Sequence, residues 1–174
     1  MDDDARRSRL EALFLAHGRT VLAYARRRTD HTTAEDVLSD VFMVAWRRLD
    51  RVPSDSLAWL LACARRSLLN HQRAERRRSR LADRLTADTS RREVRVELRD
   101  DLLARAFATL QERDREALLL IGWEGLSVEQ AAAVIGCSSQ AFRVRTHRAR
   151  RRLADALLAL DAAESHLRME PCND

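Results

Sequence analysis

The sequence predicts an all-α protein built as two small helical domains joined by a flexible linker. Three observations carry that reading. The 174 residues are dominated by Leu, Ala, Arg, Asp and Glu, with only four glycines and two prolines, a composition rich in helix formers and poor in breakers. No stretch alternates apolar and polar residues long enough to specify a sheet strand. Finally, "LADRLTADTSRR" (Leu81 to Arg92) is polar and weakly periodic, and it lies between two strongly periodic halves. The expected divisions are 1–80, a linker over 81–93, a second domain over 94–160 and a tail over 161–174.

The elements follow in order. A first helix is expected from about Ala5 to Arg28, with Leu10, Leu13, Phe14, Val21, Leu22 and Ala25 as buried candidates. "TDHTTAED" then supplies a break and a start, Thr32 and Glu35 having capping-box spacing. Ala34, Val37, Leu38, Val41, Phe42 and Ala45 recur at i, i+3, i+4, i+7, i+8 and i+11, an amphipathic helix ending near Arg48. "LDRVPSDS" (Leu49 to Ser56) is a loop. A third long helix turns Leu57, Leu60, Leu61, Ala64 and Leu68 inward and runs out into "RAERRRSR" (Arg73 to Arg80).

The second half opens with a helix near Val94 to Leu110. Gly122 and Gly125 bracket the end of the next. Ser127 and Gln130 form a capping box for a short helix, "SVEQAAAVIG", in which Ala132 and Ala133 are small enough for close packing. Gly136 makes a tight corner, and Ser138 or Ser139 caps the last helix. A short helix, a glycine-bearing turn and a basic helix form a helix-turn-helix arrangement, whose second helix enters the DNA major groove.

That last helix carries six arginines between Arg143 and Arg152 and no acid. Its stripe Phe142, Thr146, Ala149 and Leu153 falls at helical spacing and is expected to pack. Ser138, Ser139, Gln140, Arg143 and Val144, near its start, are candidates for base edges; Arg145, Arg148, Arg150, Arg151 and Arg152 suit phosphates, which position a protein without reading sequence. The plainer alternative is a solvated basic face on a bundle helix. All 32 basic residues are arginine, as codon bias in a GC-rich genome would give, yet the planar guanidinium also grips phosphates and stacks on bases. A net charge of +5 conceals a strong segregation of basic and acidic residues, which points to a nucleic-acid partner.

Two further faces stand out. Trp59, Cys63, Arg66, Asn70, Arg73 and Arg77 lie along one side of the third helix, an aromatic followed by arginines that suits melted or single-stranded DNA. The alternative places Trp59 in the core and leaves the arginines solvated. The preceding Ser54, Asp55 and Ser56 offer hydroxyls and a carboxylate to the edge of an extruded base, or serve only as a helix cap. On the second helix Asp36, Asp40 and Met43, with Ser39 and Arg47 nearby, lie opposite the core stripe. An acidic face repels DNA and fits a basic protein surface, or it merely compensates the helix dipole.

Other classes are excluded or unsupported. "MDDDARRSRL" has no apolar segment of the kind a signal peptide needs. The longest apolar runs, such as "LAWLLACA", fall far short of the ~20 residues that span a bilayer. Cys63, Cys137 and Cys172 are widely spaced and form no zinc pattern, as expected of reduced thiols in a cytoplasmic protein. The carboxylates form no metal cluster and the five histidines are scattered, so no catalytic residue, metal, cofactor or small-molecule substrate is expected.

Taken together these segments resemble the extracytoplasmic-function sigma factors of bacterial RNA polymerase. "AEDVLSDVFMVAWRRL" (Ala34 to Leu49) is similar to the family's core-binding helix of region 2, and "AWLLACARRSLLNHQRAERRR" (Ala58 to Arg78) to its promoter −10 helix. "LQERDREALLLIGWEGLSVEQAAAVIGCSSQAFRVRTHRARRRL" (Leu110 to Leu153) resembles region 4. The resemblance implies a non-catalytic subunit that binds core polymerase through the β′ and β subunits, directs it to promoters and is held by an anti-sigma factor. It implies that Asp36, Ser39, Asp40 and Phe42 meet the β′ coiled coil, with Phe42 partly structural; Met43, on the same outer face, is a further candidate for polymerase binding. The loop Ser54 to Ser56 would capture a flipped −10 base, Arg143 and Arg145 would form a basic pair on the −35 helix, and the linker would thread towards the active site and RNA exit channel. Departures from the family pattern are Ser39 and Asp40 for the usual glutamine and glutamate, Arg66 for asparagine, Asn70 for aspartate, Thr146 for leucine, and the presence of Pro53. The rival reading is a free-standing helix-turn-helix regulator, which leaves the acidic face and the Trp59–Arg77 stripe idle.

Overall fold

A computed structural model of the chain describes residues 2–82 and 101–169. Among these residues all regular structure is helical: α1 (Asp3–Arg26), α2 (His31–Arg47), a 3₁₀ turn (Leu49–Arg51), α3 (Ser56–Ala82), α4 (Asp101–Thr109), α5 (Glu112–Gly122), α6 (Val128–Ile135) and α7 (Ser139–Met169). The expected linker lies outside the described residues except for Leu81 and Ala82, which continue α3; the expected start of the second-half helix before Asp101, and Cys172, also lie outside them. The chain divides into two compact units, one holding α1 to α3 and the other α4, α5, α7 and most of α6.

In the first unit each helix packs on the other two. The α2 stripe buries as its spacing predicts: Ala34, Val37, Val41, Phe42 and Ala45 are buried, with Leu38 at the margin. Opposite it lie Val21, Tyr24 and Ala25 of α1 and Leu60, Leu61, Ala64 and Leu68 of α3, each large side chain contributing ~1.5–3 kcal/mol of burial free energy. Two expectations are corrected here. Phe14 is 48% exposed, touching Phe42 edge-on with ring centroids 5.0 Å apart, while Tyr24 is the large buried ring of α1. The expected Thr32–Glu35 capping box is absent. Asp30 caps α2 instead, its carboxylate accepting from the Thr33 amide and hydroxyl, both at 2.9 Å, which starts the helix two residues earlier, at His31 rather than Thr33, and leaves Glu35 to pair with His31 at 3.4 Å.

In the second unit α7 packs against α4 and α5. Phe142, Thr146 and Ala149 are buried and Leu153 partly so, beside Ala106, Leu110, Ala117, Leu119 and Leu120. Thr146 is tolerated there because its hydroxyl donates to the Phe142 carbonyl one turn back, at 2.9 Å. The Ser127–Gln130 capping box forms, with bonds of 2.8 and 3.2 Å. Gly136 ends α6 at φ 81°, the left-handed conformation that favours glycine. Ser138 rather than Ser139 caps α7, its hydroxyl accepting from the Ala141 amide at 3.2 Å. Ala132 is buried as expected but Ala133 is exposed; Ala131 takes the second buried place. The helix α7 runs through the expected domain end at 160 to Met169, with Glu164 paired to Arg105 of α4.

Candidate nucleic-acid interface

The outer face of α7 is basic and accessible. Ser138, Gln140, Arg143, Val144, Arg148 and Arg151 are exposed, and Ser139 and Arg145 are partly exposed. The Gly136 corner sets the direction of this helix and the Phe142 stripe fixes its rotation, so Gln140, Val144 and Arg151 fall opposite the buried side. Two of the arginines are engaged. Arg143 bridges to Glu129 on α6 at 2.9 Å, and Arg152 bridges to Asp114 of α5, a carboxylate that is itself buried. Arg152, expected at phosphates, therefore ties α7 to α5. The Glu129 carboxyl is held below its ordinary range, first by its own backbone amide, then by Ser127 and by Arg143.

On α3 the expected stripe shares one face but differs in depth. Trp59 and Cys63 are half-buried, whereas Arg66, Asn70, Arg73 and Arg77 are exposed. Burial raises the pKa of the Cys63 thiol, partly opposed by Arg66 and Arg48. Ser54 and Asp55 sit at an exposed tip, but Ser56 is buried and shares a 2.9 Å hydrogen bond with His17 of α1. Ser56 is therefore part of the anchorage of the loop and does not face solvent with its neighbours.

The acidic face of α2 also divides. Asp36, Ser39 and Met43 are exposed, and Phe42 is core. Asp40, expected to be freely exposed, accepts from the Ser67 hydroxyl at 2.6 Å and lies 3.3 Å from His71 Nε2, which clamps α2 to α3. Asp40 and Met43 line one open groove of about 340 Å³ together with Arg47, Arg66 and Asn70. The structure thus joins the acidic face and the basic stripe, which appeared separate in the sequence.

Sequence reasoning missed His17, Ser67, His71 and Glu129, the residues that hold these side chains in place. Ser67 and His71 do sit at i, i+4 on α3, but nothing in the linear pattern links them to a carboxylate 27 residues away. Among the described residues no group of three His, Cys, Asp or Glu side chains could hold a metal ion, and no helix is long and apolar enough to cross a membrane.

Known proteins share this arrangement. Residues 13–78 match Sigma-70 region 2 and residues 100–153 match Sigma-70, region 4. The chain is 33% identical over 135 residues to the ECF RNA polymerase sigma factor EcfG of Rhodopseudomonas palustris, covering 75% of this chain and 74% of that one. It is 36% identical over 162 residues to the ECF RNA polymerase sigma factor SigC of Mycobacterium tuberculosis, covering 86% and 82%. Among solved structures it resembles the sigma factor RpoE of Bartonella quintana in complex with the anti-sigma factor NepR, with TM-score 0.64, 30% identity and 84% and 95% of the two chains covered. It also resembles CnrH in complex with the cytosolic domain of CnrY, with TM-score 0.59, 26% identity and 86% and 88% covered. With both regions present in order and relatives matched over most of their length, this chain belongs to the extracytoplasmic-function sigma factors of bacterial RNA polymerase.

Proposed function

We propose that this sigma factor, which binds core RNA polymerase and directs promoter-specific initiation, divides the work between its two units. Region 2, over 1–80, engages the polymerase through Asp36, Ser39, Asp40 and Met43, with Phe42 supporting that face from the core. Its loop tip, Ser54 and Asp55, takes an extruded −10 base, with Ser56 setting the base of that loop. Trp59, Arg66, Asn70, Arg73 and Arg77 track the melted strand. Residues 81–93 link to region 4, over 94–160, where Ser138, Ser139, Gln140, Arg143 and Val144 read the −35 duplex and Arg145, Arg148 and Arg151 hold its phosphates. Residues 161–169 extend α7 of that unit, with Glu164 paired to Arg105.

The observation that carries this reading is the pairing of two unlike surfaces in one chain: a basic α7 presented by a helix-turn-helix, and a groove where acidic α2 meets basic α3. A free-standing regulator would need only the first. The chain is proposed to act in the cytoplasm with the polymerase, to supply recognition and strand opening without catalysis of its own, and to be held by an anti-sigma factor. The last point is supported by the resemblance to the Bartonella quintana sigma factor solved with its anti-sigma factor, and by the exposed apolar side chains of Phe14, Leu15 and Met43, which suit a protein partner.

Run-off transcription with purified core polymerase on genomic promoter fragments, with and without this protein, tests the reading. Discrete transcripts that require the protein are expected. If core polymerase fails to retain the protein and the same fragments yield no new transcripts, the reading is wrong.

A further inference from the structure

We propose that α1 splints the loop between α2 and α3, and that Arg9 and His17 are positioning residues that set which base the loop accepts. This rests on the reading of Ser54 and Asp55 as the −10 capture tip. The chain must turn from the end of α2 at Arg47 to the start of α3 at Ser56. Leu49 and Val52 are buried within this turn, while Pro53, Ser54 and Asp55 stand out as an exposed tip. Both ends of the tip are held from α1. Arg9 donates to the Val52 carbonyl at 3.0 Å, the residue just before the tip. His17 shares its 2.9 Å bond with Ser56, the residue just after it.

A third residue of α1 holds the approach to the loop. Arg6 donates to the Trp46 carbonyl at 3.0 Å, stacks over the Trp46 ring at 5.0 Å and faces Asp50 at 3.7 Å. Arg6, Arg9 and His17 are spaced i, i+3 and i+11, so they share one face of α1. A three-residue tip fixed at both ends has few backbone conformations left. That suits recognition of one base by its edge, because donors and acceptors are ordered before the base arrives and little entropy is lost on binding. Arg6 and Arg9 also precede the residues that match region 2, which begin at 13. On this account a segment outside the matched region sets the selectivity of a loop inside it.

A purely structural role for these contacts would lower activity on every promoter alike; a positioning role changes the order of preference. The test reconstitutes holoenzyme with full-length chains carrying Arg9→Gln, His17→Leu or Arg9→Lys, and with Ser54→Ala and Asp55→Ala, on a promoter library randomised at the −10 element. Arg9→Gln and His17→Leu are expected to reduce discrimination between the preferred and next-best base about two- to tenfold, the range one net hydrogen bond spans. The −35 preference should not move, and Arg9→Lys, which keeps a donor, should restore discrimination. Arg9 is exposed, so its substitution decides the matter even if His17→Leu fails to fold. If Ser54→Ala and Asp55→Ala alter the −10 preference while Arg9→Gln leaves it at the wild-type order, the loop reads unaided: the splint is refuted and the capture reading stands. If neither pair alters it, both are refuted.

Discussion

The two units differ in how their candidate functional side chains are held. In the first, Asp40 is bonded to Ser67 and His71, and Ser56 to His17, so residues of the candidate surfaces also knit the helices together. In the second, the basic side chains of α7 lie outside the Phe142–Thr146–Ala149 stripe that anchors the helix, and only Arg143 and Arg152 have ion pairs to other helices among those described. Binding and stability are therefore entangled in the first unit and separable in the second. A unit proposed to hold a melted strand gains from rigid positioning of every group, whereas a helix proposed to lie in a groove needs only a fixed axis and rotation.

The largest effect that would test this contrast is expected at Asp40. Asp40→Arg leaves the buried Ser67 hydroxyl without its acceptor, a cost of ~1–3 kcal/mol, and should lower both the melting temperature and retention by core polymerase. Asp36→Arg, on the exposed part of the same helix, should weaken retention with the melting temperature unchanged. Thermal melts and pull-downs of the two variants side by side check this; equal melting temperatures would remove the entanglement from the account.

In the second unit Arg143→Ala should cost about 1–3 kcal/mol and relax specificity at particular −35 positions, while Arg151→Ala weakens all sequences alike and lowers the salt slope by roughly one. Arg151→Ala should leave the melt unchanged, and Arg143→Ala should move it little, because its bridge to Glu129 lies at the exposed surface where an ion pair contributes little. Competition binding of holoenzyme to −35 variants at several salt concentrations separates the two behaviours. A smaller effect, about 1 kcal/mol, is expected for Gly136→Ala, because the added Cβ meets nothing within 4 Å but must adopt φ 81°. Chemical denaturation measures it.

These contrasts also explain what the sequence could reveal. The core stripe of α2, the Ser127–Gln130 box and the Gly136 corner are local features governed by spacing and by conformational preference, and each forms as read. Phe14 was misplaced because periodicity gives the apolar face of a helix but not how far its partners extend over it. The Asp30 cap was missed because two candidate caps competed within three residues, and the earlier one won by accepting two bonds from Thr33. Neither the Asp40 clamp nor the splint was legible, since Ser67 and His17 meet their partners across 27 and 39 residues of chain.

The smallest expected effect is a pH response at Glu129. Its carboxyl is held below the ordinary value of 4.5 by its own backbone amide, Ser127 and Arg143. A depressed folded-state pKa contributes stability that is complete above the unfolded value and is lost as pH falls through the folded one. The Arg143 bridge should thus persist above pH 4.5 and open only in more acidic solution. Titration of the Glu129 side chain by NMR, in wild type and in Arg143→Ala, should show the inflection move upward in the variant.

The central claim, that two units read two promoter elements independently, is tested most directly by transcription from a library randomised at both the −10 and −35 elements. Holoenzymes carrying wild-type protein, the Ser54→Ala/Asp55→Ala double variant, or Arg143→Ala are compared on it. The account predicts that the loop variant changes only the −10 profile and Arg143→Ala only the −35 profile. A variant that shifted the profile of the opposite element, or two variants that shifted neither, would contradict it.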